Sequence, residues 1–419
     1  MKNLPLGIQT FRNIIEGNYL YIDKTKDIFE LFVNQGKYFF LSRPRRFGKS
    51  LLITTLEEIF LGNKELFKDL WIYDKIEWKK YPVIRIDFSN MLYTEGTNGF
   101  KDSFFSNIKW IAKSYQIELI EENYKDAFKE LLLKLSKMIP KGSPGEEKVV
   151  LLIDEYDKPI TNFVDDLEIA KKNRDILKSF YETIKACDEY IKFAFLTGVS
   201  KFAKVSVFSG LNNLTDITLD EKFSTITGYT EEQLYFYFDN RIKLLSQKLK
   251  ITPEEMKNEI KTWYNGYSWD GKDFVYNPYS ILLLFSHLKM ENYWFETATP
   301  TFLIKYIKEH NISIKDIAPL VTDYTIFQSY EIDDFSFESF LFQTGYLTIK
   351  KIEEKNNFFK EYTLDYPNLE VKELNLKEEM DLINIRIDQF ILKMDNDLKT
   401  VFNKIEDLNK LAEDSKIDQ

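Results

Sequence analysis

Gly48, Lys49 and Ser50 stand between two apolar runs, Tyr38–Leu41 and Leu51–Ile59, and together they carry the chemistry of an anion site. Glycine lets the main chain approach a phosphate, lysine reaches the outer phosphates of a nucleotide, and the next hydroxyl can ligate magnesium. Ahead of them lies Arg43-Pro44-Arg45-Arg46-Phe47, with arginine where the usual G-x-x-x-x-G-K-[ST] loop has glycine. Only eight of the 57 basic residues are arginine, and three of the eight fall at 43, 45 and 46. Lysine would meet a need for charge alone. The guanidinium fork is therefore wanted, and its commonest use is bidentate contact with carboxylate or phosphate. On this reading Arg43, Pro44, Arg45, Arg46, Phe47, Gly48, Lys49, Ser50 and Leu51 form a nucleotide-binding loop. The bland alternative is a solvated basic turn before an ordinary helix.

A second constellation is Asp154-Glu155 in VVLLIDEYD, residues 149–157. Five consecutive apolar residues predict a strand buried on both faces, with the acids at its carboxyl end, where α/β folds place their ligands. Asp154 is expected to hold Mg2+ beside Ser50, Glu155 to polarise an attacking water, and Lys49 to serve catalysis at the phosphates. A third strand, Ile191–Leu196, ends at Thr197, whose hydroxyl is expected either to sense the γ-phosphate or the water, or simply to cap backbone. The expected ligands are ATP and Mg2+.

These residues need a scaffold of strand, turn and helix, and the patterns supply one. Tyr38 to Leu41 are β-formers, and Leu51, Leu52, Thr55, Leu56 and Ile59 recur at helical spacing. Asp23-Lys24-Thr25 is placed to cap a helix over 27–34, Pro82–Phe88 reads as a strand, and residues 97–139 as helices. The stretch 141–147 reads as a loop. From Thr230 the pattern turns helical, opened by the capping box Thr-Glu-Glu-Gln. An aromatic turn follows at 263–271, then Asn277-Pro278 before an apolar helix, and at 335–364 a helix and hairpin like those of a winged-helix module. The fold class expected is α/β, a P-loop NTPase core over 1–229 with a mostly parallel sheet between helices. A helical lid at 230–300, a winged-helix-like region at 301–372 and a helical tail at 373–419 complete the division.

Composition narrows the function. With 419 residues, 44% hydrophobic and 30% charged, the chain can bury a large core. A net charge of -10 gives no general polyanion-binding surface, so contact with nucleic acid would need a local patch. No run approaches the ~20 apolar residues of a membrane span, and no signal peptide is visible, which points to the cytoplasm. Cys187 alone allows no internal disulfide, and two histidines, His287 and His310, leave little room for zinc or Ser-His chemistry.

The chain resembles the bacterial AAA-ATPase-like family that is often fused to a PD-(D/E)XK-type nuclease domain. The likeness covers residues 4 to about 372 and rests on PLGIQTF (5–11), YIDKT (21–25), SRPRRFGKSLL (42–52), LLIDEYDKPI (151–160), LTGVSKF (196–202), GLNNLTDITLD (210–220), GYTEEQL (228–234), WYNGYSW (263–269), NPYS (277–280), FQTGYLTI (342–349) and YPNLEV (366–371). In that family Arg at 43 is the pattern. Ala298 departs from it, standing where glycine is usual. The resemblance implies an ATP-binding core of the additional-strand P-loop class with a helical lid, Lys49 and Ser50 as phosphate and magnesium groups, and Asp154 with Glu155 as the acidic pair. The activity expected is that of a Mg-dependent ATPase acting as a switch or motor. The rival is a nucleotide-binding scaffold or adaptor, DNA-associated or not, with little hydrolysis. Only about fifty residues follow Pro367, without the Asp-bearing strand that Glu370-Val371-Lys372 would need, so a nuclease domain is expected to be absent or cut off. Ile387, Ile391, Met394, Leu398, Val401, Ile405 and Leu408 alternate spacings of four and three. That is a coiled-coil seam, expected either to pair two copies of the chain or to dock on its own body.

Overall fold

The computed structural model describes residues 1–33, 36–93, 99–138, 147–163, 166–201, 207–208, 211, 213–294, 318–328, 336–356 and 359–372. The expected loop at 141–146, Ala298 and the tail beyond 372 lie outside them. Met1–Lys372 forms one compact unit.

Its centre is a five-stranded parallel sheet flanked by helices. In chain order come α1 (Phe11–Glu16), α2 (Thr25–Val33), β1 (Tyr38–Ser42), α3 (Lys49–Phe60), β2 (Val83–Asp87), α4 (Gly99–Ser114), α5 (Tyr124–Ser136), β3 (Val149–Asp154), α6 (Lys158–Thr161), α7 (Leu167–Ala186), β4 (Ile191–Gly198) and β5 (Thr215–Asp216). The strand order is β2-β3-β4-β1-β5, all parallel, so β4 lies between β1 and β3. Every residue of β1 and β3 is buried, as their unbroken apolar runs require. Side chains alternate between the faces. Phe39, Leu41, Val150 and Leu152 pack with Phe11, Ile28 and Leu56 of α1, α2 and α3, whereas Phe40, Leu151 and Ile153 pack with Phe104, Phe128 and Phe180 of α4, α5 and α7. The register sets Asp87 beside Asp154 and Ser42 beside Gly198, which aligns the carboxyl ends of four strands along one rim.

A short antiparallel pair, β6 (Tyr229–Thr230) with β7 (Val275–Tyr276), frames a helical layer of α8 (Glu231–Leu249), α9 (Pro253–Tyr264) and α10 (Pro278–His287). The α8 start is a complete capping box, with Gln233 N donating to Thr230 Oγ1 at 3.2 Å and Thr230 N donating to Gln233 Oε1 at 3.2 Å. Asn277 caps α10 through its side chain. The layer's core of Phe238, Ile242, Ile260 and Ile281 also takes in Leu20 and Ile22 from the chain's beginning. Further on, β8 (Leu320–Thr322), α11 (Phe337–Thr344), β9 (Thr348–Asn356) and β10 (Phe359–Asp365) give a helix beside an antiparallel sheet of order β8-β10-β9, closed by α12 (Leu369–Lys372). Among the described residues no helix is long and apolar enough to cross a membrane.

Candidate nucleotide site

The chain leaves β1 at Ser42 and enters α3 at Lys49, and the turn between uses two left-handed residues, Arg46 at φ +68° and Gly48 at φ +83°. A Cβ at Gly48 would meet nothing within 4 Å, so it is the backbone angle that calls for glycine there. Lys49 is buried, and its ammonium donates to the carbonyls of Arg43 and Pro44, both at 3.1 Å, while lying 3.8 Å from Glu155 Oε1. Ser50 is close enough to Asp154 to favour its charged form, and Glu155 N donates to Asp154 Oδ1 at 3.0 Å. Glu155 itself sits in the left-handed region at φ +51°. The structure thus gathers Gly48, Lys49, Ser50, Asp154 and Glu155 at one point on the rim.

The acids fit a divalent cation. Burial first, and then the charge of Glu155, push the Asp154 carboxyl up to about 6, the signature of a carboxylate with too little positive charge at close range. Among the described residues no three His, Cys, Asp or Glu side chains form a full metal cage. Magnesium does not ask for one, since it keeps several waters and takes one or two protein ligands plus phosphate oxygens. Ser50 and Asp154 are the residues that would hold it, and its charge would supply the compensation that Asp154 lacks. Thr197 has a different place. It is fully buried, and its hydroxyl donates to the Leu41 carbonyl at 2.9 Å, fastening β4 to β1.

The arginines divide. Arg43, expected to offer its fork to phosphate or carboxylate, is instead turned inward and is 0% exposed. One terminal nitrogen donates to the carbonyls of Ser42 and Thr218 at 2.9 and 2.8 Å, the other to that of Phe223 at 3.1 Å, and the plane lies 3.9 Å from the centre of the Trp269 ring. Burial lowers its pKa while the charges of Asp216 and Asp270 oppose the shift. The fork geometry was indeed what the position needed, but the partners are backbone carbonyls and a ring face. Arg45 is half-buried, whereas Arg46 is exposed and lies 4.6 Å over the ring of Tyr279.

A model of the family described as Predicted AAA-ATPase matches residues 5–208, a span that holds both the loop and the acids. A protein of Azotobacter chroococcum mcd 1, described as an uncharacterized protein in the vnfD 5' region, is 40% identical over 373 residues, 88% of this chain and 68% of that one. The chain belongs to the AAA-ATPase-like family.

In this AAA-ATPase-like chain three groups at the rim had no signal strong enough to be singled out from sequence. Asp157 is buried and accepts from Ser200 N and Ser200 Oγ at 2.8 and 2.7 Å, bracing the turn after β4 against the turn after β3. Gly198 is what lets it do so, because a Cβ there would come within 2.5 Å of Asp157 Oδ1. Asp87, at the tip of β2, adds its charge to the field that raises Asp154. Tyr267 and Trp269, seen in sequence only as part of an aromatic turn, meet the edge of Phe47 with ring centres 4.8 and 5.4 Å away. Phe47 and Gly48 also line a mainly apolar pocket, together with Tyr21, Ile22, Leu51, Ile226 and Tyr229.

Proposed function

We propose that the chain binds ATP with magnesium at the loop 43–51 and hydrolyses it slowly, as a switch to which the region 230–365 responds. The observation that carries this is the meeting of Lys49, Ser50, Asp154 and Glu155 at the ends of β1 and β3, with the ammonium 3.8 Å from Glu155. The position of β4 between those strands supports the additional-strand class, and the helix with its three-stranded sheet supports a winged-helix-like region. The apolar pocket beside Gly48 supports a nucleotide base next to the phosphates. In this reading Lys49 exchanges its two carbonyl partners for phosphate oxygens, Ser50 and Asp154 hold the cation, and Glu155 takes the proton of the attacking water. The cation supplies charge that stabilises the phosphates in transfer. Thr197, through its bond to Leu41, keeps the tips of β1 and β4 in register instead of touching the phosphate. The architecture divides as a core over 1–229, a lid over 230–300, the winged-helix-like part over 301–372 and the tail.

Replacing Lys49 by alanine removes a charged hydrogen-bond donor worth roughly 2–3 kcal/mol, and therefore weakens ATP binding by at least about thirtyfold. Glu155→Gln keeps binding and cuts turnover by about 10²–10⁴-fold, the scale of a lost general base. Equal ATP affinity in wild type and Lys49→Ala, measured by calorimetry, defeats the site assignment. Phosphate release with and without DNA separates the switch from a non-hydrolysing scaffold, and salt-dependent DNA affinity would reveal a local nucleic-acid patch. The 4-3 spacing from Ile387 to Leu408 supports self-pairing through the tail; an unchanged solution mass after deleting 385–419 refutes it.

A further inference from the structure

Three residues of the phosphate loop are anchored in one wall that lies more than 200 positions downstream. Arg43 places its guanidinium 3.9 Å from the Trp269 ring centre, and Phe47, 0% exposed, sets its edge against Tyr267 and Trp269. Pro44 presses on the C-cap of α11, where a Cβ added at Gly345 would stand 3.0 Å from Pro44 Cβ and Cγ. The wall is pinned in its turn. Ser268 N donates to Thr348 Oγ1 at 2.7 Å, that hydroxyl donates to Ser268 O at 2.9 Å, and Tyr267 exchanges backbone hydrogen bonds with Val275 at 3.2 and 2.8 Å.

The energetics ask what this arrangement is for. A buried guanidinium is costly, and here three backbone carbonyls, one aromatic face and the charges of Asp216 and Asp270 repay it. No such cost arises with glycine at 43. In exchange the loop loses the freedom that glycine brings, and its shape is dictated from outside. The backbone of Arg43 still pairs with β4, donating to the Gly198 carbonyl at 3.2 Å, so the side chain alone reaches the wall. Arg45 and Arg46, which lie between the anchored positions, stay half-buried and exposed.

We propose that Trp269, with Tyr267 and Gly345, is a positioning element of the phosphate loop: the loop keeps its anion-binding shape only while the 263–271 turn and the end of α11 are seated against it. This inference rests on the ATP-site reading above for its functional half, and extends it to regulation. By linkage, nucleotide in the loop then favours a seated wall, and anything that displaces the wall lowers nucleotide affinity by the same factor.

The test uses the full chain as wild type, Trp269→Leu and Trp269→Phe, with hydrogen–deuterium exchange of residues 43–50 and 149–154 and calorimetric binding of Mg·ATP. Losing a desolvated cation–π contact with Arg43 and the ring contact with Phe47 predicts at least about tenfold faster exchange over 43–50 in Trp269→Leu, with 149–154 unchanged. Affinity for Mg·ATP falls by a similar factor, and Trp269→Phe, which keeps an aromatic face, recovers most of both. Should Trp269→Leu also loosen 149–154, Phe47→Leu repeats the measurement with the apolar volume kept. Unchanged exchange over 43–50 in both variants overturns the positioning role whatever the nucleotide does. Faster exchange with undiminished affinity overturns the coupling. Faster exchange in a protein whose wild type takes up no ATP defeats the nucleotide reading and leaves the positioning role supported.

Discussion

Glu370 is fully buried, and its carboxyl accepts from the backbone amides of Tyr293 and Trp294, both at 2.9 Å, and from Ser280 Oγ at 3.1 Å. Burial pushes its pKa up to about 7, outweighing those three donors, which favour the charged form. Because the folded value lies above the ordinary 4.5, its contribution to stability is fully present below pH 4.5 and is lost as pH rises through 7. Over that window the loss is on the order of 3 kcal/mol for a group so well shielded. A carboxamide in place of the carboxyl would keep an oxygen for the two amides and never ionise. Glu370→Gln is therefore expected to be less stable than wild type at pH 5 and to gain on it by about 2–3 kcal/mol by pH 8, read from urea denaturation at the two pH values. A difference that does not move with pH would show that the carboxyl titrates alike in the folded and unfolded states, so that burial does not raise it. Arg43 teaches the same lesson with opposite charge: residue type was informative, since lysine could not span three carbonyls and a ring, but the identity of the partner was not.

At the scale of elements, legibility followed burial. The strands β1, β3 and β4 announced themselves as apolar runs because both of their faces are covered, and Thr230 announced α8 because a capping box is a local device. The same signature at Thr252 and Glu255 opens α9, where both capping bonds are also present, and it could have been read the same way. Other elements left no comparable mark. The strand β5 spans only Thr215–Asp216, and β8 only Leu320–Thr322, too short for any period to show. Strand order was equally silent, because the placing of β4 between β1 and β3 joins segments more than a hundred residues apart that no local pattern connects. The conformation of the loop 43–50 was half legible for the same reason. Gly48, Lys49 and Ser50 form a left-handed turn into a helix start, a local device, while the places of Arg43, Pro44 and Phe47 are explained by Thr218, Trp269 and Gly345, which no spacing connects to them.

For the whole molecule the consequence is that the proposed boundary at 229/230 falls inside one compact unit, Met1–Lys372, and does not separate stabilities. Leu20 and Ile22 are buried among Phe238, Ile242 and Ile281, Lys24 Nζ donates to Gln233 Oε1 at 2.7 Å, and Lys201 N donates to Gln343 Oε1 at 2.6 Å. Phe47 and Arg43 depend on Tyr267 and Trp269 as already described. Cutting the chain after 229 returns Leu20, Ile22 and Phe47 to water, at roughly 1.5–3 kcal/mol each and so about 5–9 kcal/mol together. That is comparable with the whole stability of an ordinary domain, about 5–15 kcal/mol, before the stranded Arg43 guanidinium is counted. A fragment of residues 1–229 is therefore expected to melt without a cooperative transition, or at least about 15 °C below residues 1–372, and to bind no Mg·ATP. Circular-dichroism melts of the two fragments, with calorimetric titration of each, decide the matter. A 1–229 fragment that unfolds cooperatively within a few degrees of 1–372 and takes up nucleotide with equal affinity would show that the wall around the loop adds neither stability nor shape.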